Sequence, residues 1–169
     1  VYGGSGSGAT GGSDQVDLYE SLEAAGFVGN PMMKAFYEDN SRSGDGRDRN
    51  PEIGVIIAGF ATGETPVTDY DSEVTNSYDE YNSAAIVVIS RIGGEGFDLP
   101  RTMLESYEDG ASKVAGAKSG DSHYLELDAN EEAMLLEAYE NFDKVILLVN
   151  TPSQMELGFL NDETDPLYS

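Results

Sequence analysis

Ala84-Ala85-Ile86-Val87-Val88-Ile89-Ser90, running straight into Arg91-Ile92-Gly93-Gly94-Glu95-Gly96-Phe97-Asp98, is the stretch on which the fold of this 169-residue chain turns. Its first half is an unbroken apolar, β-branched run of strand length, the pattern of a parallel strand covered on both faces. Its second half changes abruptly to glycine and carries two carboxylates three residues apart. In an open α/β sheet, function collects in the crevice beyond the carboxyl ends of the strands. A loop leaving residues 84–90 opens into that crevice. Gly93, Gly94 and Gly96 give the backbone around Glu95 conformations barred to other residues and leave room for a ligand. Glu95 is the leading candidate for a functional residue.

Downstream, residues 128–142 read as a helix. Asp128 caps it, Glu131 completes a capping box, and Ala133, Leu135, Leu136 and Tyr139 recur on one face. Val145-Ile146-Leu147-Leu148-Val149 is a second continuous apolar strand. Strand, helix and strand make a βαβ unit, which predicts a parallel sheet with a right-handed crossover. A parallel partner puts the polar turn Asn150-Thr151-Pro152-Ser153 on the same sheet edge as Glu95. Between the two strands, residues 99–122 are polar and broken by Gly110, Gly116 and Gly120. A connection of that length is usually functional or disordered, so a lid or rim over Glu95 is expected there. His123 is the only histidine, which excludes a His-pair metal site and a His-based triad and leaves it as an ordinary surface residue.

Upstream, residues 3–13 hold Gly6-Ser7-Gly8-Ala9-Thr10-Gly11, a formal G-x-G-x-x-G. A dinucleotide site needs a strand immediately before that motif, and only Val1-Tyr2 stand there; the tract reads as a flexible connector. A helix follows, capped by Ser13 or Asp14, with Val16, Leu18, Leu22 and Ala25 at helical spacing and Gly26 closing it. Asn30-Pro31 starts a second helix, with Met32, Met33, Phe36 and Tyr37 as a core stripe to about Asn40. Residues 41–51 form a charged loop, 53–60 (IGVIIAGF) a glycine-weakened strand, and 68–81 a polar, tyrosine-bearing helix or loop. Val1 in place of Met and a loop-like run over 161–169 read as a piece of a longer protein.

The length suits one domain with a real core. Nine Lys+Arg against 32 Asp+Glu give a formal net charge of −23, which argues against nucleic acid and against anionic membrane surfaces and suits neutral ligands such as sugars. The absence of cysteine excludes disulfides and thiolate metal sites without fixing a compartment. No apolar run reaches the ~20 residues that span a bilayer, and no leader pattern opens the chain. A soluble protein is expected, cytoplasmic or secreted. No G-x-S-x-G elbow or P-loop lysine pattern occurs, and nothing calls for a metal or cofactor. If Glu95 is catalytic, its partner lies elsewhere.

The run from Ala84 to Asp98 resembles the second domain of family 3 glycoside hydrolases, the β-glucosidase and β-xylosidase family, whose strand ends in a similar R-x-S/G-G-E-G-x-D loop. Leu125-Glu126-Leu127, Glu131-Glu132-Ala133-Met134-Leu135, the 145–150 strand and Ser153-Gln154-Met155-Glu156 follow in the matching order. Upstream, the Gly-Ser-Gly tract, Leu22-Glu23-Ala24-Ala25-Gly26-Phe27 and Gly63-Glu64-Thr65-Pro66 agree as well, so the likeness spans nearly the whole chain.

The resemblance implies an α/β three-layer sandwich, a mostly parallel sheet with helices on both faces, cut short at its C-terminal side. Residues 1–13 would be the connector from a missing N-terminal (β/α)₈ barrel, and residues 14–169 the sandwich domain. The barrel supplies an aspartate nucleophile in that family; the glutamate matching Glu95 is the general acid/base of a retaining β-glycosidase acting on terminal β-linked glucosides or oligosaccharides. Arg91 and Asp98 would touch a sugar at the leaving-group side or position the loop, a structural ion pair at the loop base being the competing role. The family often has Asp-Arg after the glycine loop; here Asp98-Leu99-Pro100-Arg101 leaves the role of Arg101 open. The alternative is a non-catalytic module that binds carbohydrate or braces a barrel. A third reading, nucleotide binding, rests on the glycine tract alone.

Overall fold

The computed structural model describes residues 16–44, 63–91, 101–103, 116–119 and 121–167. The glycine tract, the 53–60 strand, Glu95 and Asp98 lie outside the described residues, as does much of the 99–122 connection. What is described is a small α/β protein with a two-stranded parallel sheet and five helices.

Strands β1 (Ala85–Ser90) and β2 (Val145–Asn150) form where the two apolar runs predict them. They pair in parallel from Ala85 opposite Val145 to Ser90 opposite Asn150, so both carboxyl ends lie at one edge. The link between them includes helix α5 (Ala129–Asn141), capped as the sequence predicts. The Glu131 amide donates to Asp128 Oδ1 at 2.8 Å and the Asp128 amide to Glu131 Oε2 at 3.0 Å. Leu135 and Ala138 of α5 bury against Val87, Ile89, Leu127, Phe159 and Leu167.

The sheet departs from the expectation that both faces are covered. Alternate residues of a strand face opposite sides, so Val87 and Ile89 turn to α5 while Val88, Ile146 and Leu148 turn away. Those three are 37%, 47% and 38% exposed. Among the described residues, then, α5 covers one face as far as Leu147, Val149 on that face is 41% exposed, and the other face is the more open.

Helix α1 (Leu18–Ala24) begins later than Ser13 or Asp14 would start it. Asp17 and Glu20 form a reciprocal box, with 2.7 and 3.0 Å hydrogen bonds, and a cap satisfying two amides at once sets the start. Gly26 closes it at φ +88°, with its amide on the Glu23 carbonyl and the Phe27 amide on that of Leu22, both at 2.9 Å. None of its residues is buried.

Helix α2 (Pro31–Glu38) starts at the Asn30-Pro31 cap and sends Phe36 into a second apolar cluster with Val74, Tyr78, Met33, Tyr70 and Phe142. The expected 41–51 loop opens instead with one turn of helix, α3 (Asn40–Ser43), because the Asp39 side chain caps the Ser41 amide. The segment left open between helix and loop resolves into short turns, Val67–Asp69 and Ser77–Asp79, around helix α4 (Ser72–Asn76). Among the described residues no helix is long and apolar enough to cross a membrane.

Candidate functional site

The carboxyl edge of the sheet is where the candidate loop begins. β1 runs out at Ser90, and the Arg91 amide adds one more rung by donating to the Asn150 carbonyl at 3.2 Å. Thr151 then bonds the Ser153 carbonyl through its hydroxyl, closing the polar turn after β2. The parallel register puts that turn on the same sheet edge as Arg91, while Glu95 lies outside the described residues.

Arg91 is 2% exposed, and its side chain is fully engaged. Nε donates to the Tyr124 carbonyl at 2.8 Å. Nη1 donates to the Ser90 carbonyl at 2.9 Å and to Glu131 Oε1 at 2.5 Å. Nη2 donates to the Glu126 carbonyl at 2.6 Å and to Glu131 Oε2 at 2.8 Å. A guanidinium has five N–H groups, and five acceptors meet them here. The arrangement gives Arg91 the role of an ion pair at the loop base and leaves it no N–H for a sugar. Its carbon centre also lies 5.2 Å from the Tyr124 ring centroid, a cation–π contact.

Burial pushes the Glu131 carboxyl up from its usual range, and the Arg91 hydrogen bonds and charge pull it back. An isolated buried charge would be prohibitive, but this pair is bidentate and further bonded to backbone, the geometry that offsets desolvation.

Tyr124 anchors the other side of the loop as well. Its amide donates to the Arg101 carbonyl at 3.3 Å, the Met103 amide donates to the Ser122 carbonyl at 2.9 Å, and Thr102 bridges His123 in antiparallel fashion. Met103 is fully buried. Arg91 and Arg101, the described residues on either side of positions 92–100, are therefore both bonded to Tyr124, which accepts from Arg91 and donates to Arg101. The 99–122 connection is pinned at 101–103 and again at 116–119, where the Gly116 carbonyl (φ +84°) accepts from the Ala129 amide at 2.7 Å.

His123 lies at the surface as expected, with Nδ1 2.9 Å from Glu156 Oε1 and both side chains more than half exposed. A polar groove of about 420 Å³ lined by Tyr78, Asp79, Asn82, Asn141 and Asp143 opens before β1 and β2, at their amino ends.

Sequence reasoning missed two features here. One is Glu131 as the partner of Arg91, hidden because its capping-box role explained it already. The other is a carboxylate–phenol chain. The Tyr37 hydroxyl donates to Glu64 Oε1 at 2.8 Å and lies 2.7 Å from the Tyr70 hydroxyl. Those partners sit 27 and 33 residues apart, so no local pattern signals them.

No family model matches the chain, and no curated protein and no solved structure matches it.

Proposed function

We propose that this chain is the acid/base-bearing α/β domain of a retaining β-glycosidase of the β-glucosidase type, with Glu95 as the general acid/base. The full domain would be a three-layer sandwich, mostly parallel, packed against a (β/α)₈ barrel that brings the nucleophilic carboxylate. In the assembled site the two carboxyls would stand ~5–5.5 Å apart. Glu95 would protonate the leaving glycosidic oxygen and then take a proton from the incoming water. It must start protonated, a state that partial desolvation and a neighbouring carboxylate favour. Asp98 would help orient the loop or contact the aglycone, and Arg91 would hold the loop base.

The observation that supports the reading most is that Arg91 and Arg101, which flank positions 92–100, are both bonded to Tyr124, beside the aligned carboxyl ends Ser90 and Asn150. An acid reaching a site on another domain needs a loop held from both sides, and here the residues flanking positions 92–100 are bonded to one buried residue. The surface charge agrees with a neutral substrate, as a formal −23 disfavours polyanions.

The test joins this chain to its barrel and replaces Glu95 with Ala. Aryl β-glucosides with good and poor leaving groups are compared, with and without azide. The expected result is a loss of about 10²–10⁴-fold for poor leaving groups, little loss for good ones, and rescue by azide. A small, uniform loss would overturn the assignment and make this a bracing or carbohydrate-binding domain. The 169-residue chain alone is expected to hydrolyse nothing.

A further inference from the structure

Acidic residues outnumber basic ones by 32 to 9 in this chain, and the structure shows how little of that imbalance is neutralised. Among the described residues only Asp128 and Glu131 are buried carboxylates; the others lie wholly or partly at the surface. The cations are largely committed. Lys34 pairs with Glu38 at 3.9 Å, and Arg42 with Asp71 and Glu73 at 2.7 and 3.1 Å. Arg91 is held by Glu131, and Lys118 by Glu132 at 2.6 Å.

Local electrostatic rules are broken repeatedly. Helices α1, α2 and α5 carry no basic residue in the last turn, where the helix dipole leaves negative partial charge. Glu23, Glu38 and Glu140 stand there instead. Glu137 and Glu140 of α5 are three residues apart, a spacing that sets like charges side by side, and Asp143 follows just past the helix end. The 420 Å³ groove that Asp79 and Asp143 line has no cation in its described lining. A second groove of about 240 Å³, beside Phe159, is lined by Glu126, Glu132, Glu156 and Asp165, with Lys118 as its one described cation.

A carboxylate surface of this density repels itself, and a net charge far from zero works against the compact state. Salt sets how far the repulsion reaches. The screening length is about 10 Å at 0.1 M, long enough for each carboxylate to feel several others, and about 3 Å at 1 M, too short for that. We propose that this fold depends on salt: concentrated monovalent salt screens the carboxylate surface and holds the chain folded, and dilute buffer lets self-repulsion open it. The cations act as a diffuse atmosphere over the whole surface rather than at a discrete site.

The experiment is urea unfolding of the 169-residue chain at KCl concentrations from about 0.1 to about 2 M, urea being uncharged and leaving the ionic strength as set. The midpoint is expected to rise on the order of twofold across that range, most of it below about 1 M, where the screening length changes most. Sucrose at matched osmolality strengthens burial without screening charge and is expected to give a much smaller rise. A variant carrying Glu23→Gln, Asp79→Asn, Glu80→Gln, Glu140→Gln and Asp143→Asn neutralises exposed side chains outside the caps and ion pairs described. It is expected to exceed wild type at about 0.1 M KCl and to match it at about 2 M. A state that does not change with KCl, folded throughout or unfolded throughout, would overturn the proposal. So would a rise that sucrose reproduces in full, or a variant with the wild-type salt response. Should the variant fail to fold, the KCl and sucrose series on wild type decide alone.

Discussion

Replacing Glu131 with Ala strips the loop base of its counter-charge, and the structure allows the cost to be worked out. Arg91 and Glu131 are each 2% exposed and share two charge-assisted bonds of 2.5 and 2.8 Å. Removing one partner of a buried pair costs about 3–5 kcal/mol, most of it from the charge left behind. The same change removes the acceptor of the Asp128 amide and so half of the α5 capping box, adding about 1 kcal/mol. Against a total stability of about 5–15 kcal/mol for a domain, that is about a quarter or more of what holds the chain folded. Urea unfolding is the assay, and the midpoint should fall with an unchanged m-value. Glu131→Gln keeps an acceptor for Asp128 but leaves the Arg91 charge without its counter-ion, so it should lose nearly as much. Arg91→Met with Glu131→Leu should recover only part of the loss, because the carbonyls of Ser90, Tyr124 and Glu126 would then lack their donor. A Glu131→Ala loss under about 1 kcal/mol would mean the pair is not desolvated, and the argument for a rigid loop base would fail with it.

Two further outcomes follow from packing and backbone geometry. Leu135→Ala empties the centre of the cluster that joins α5 to Val87 and Ile89, and should cost about 2–5 kcal/mol by urea unfolding. Gly26→Ala forces a side chain into φ +88°, a strain of about 1 kcal/mol. Because α1 has no buried residue, that strain should appear as roughly fivefold faster amide exchange within α1, while the global unfolding midpoint stays in place.

What was legible in the sequence was whatever is encoded locally. Asp128 and Glu131 announce the start of α5 within one turn, Asn30-Pro31 does the same for α2, and two apolar runs of strand length flanking a helix require a parallel pair. The start of α1 was misplaced because Ser13, Asp14 and Asp17 are all competent caps. Only Asp17 has a glutamate three residues on to answer it. The exposure of Val88, Ile146 and Leu148 was not legible, since an apolar run states what a strand tolerates on each face and not which faces are met. Arg91 was legible as the residue that follows β1, but its ion-pair partner Glu131, 40 residues away, was not.

The same distance argument explains why the first turn of α5 matters more than its sequence suggests. Asp128 and Glu131 close the cap, and Glu131 also holds Arg91 at the root of segment 92–100. Asn130 reaches back to the Glu64 carbonyl, and the Ala129 amide fixes Gly116, whose Cβ, if it had one, would sit 3.0 Å from Asp128 Oδ2. Four consecutive residues therefore bind the loop base, the return segment and the helical layer that carries Tyr37.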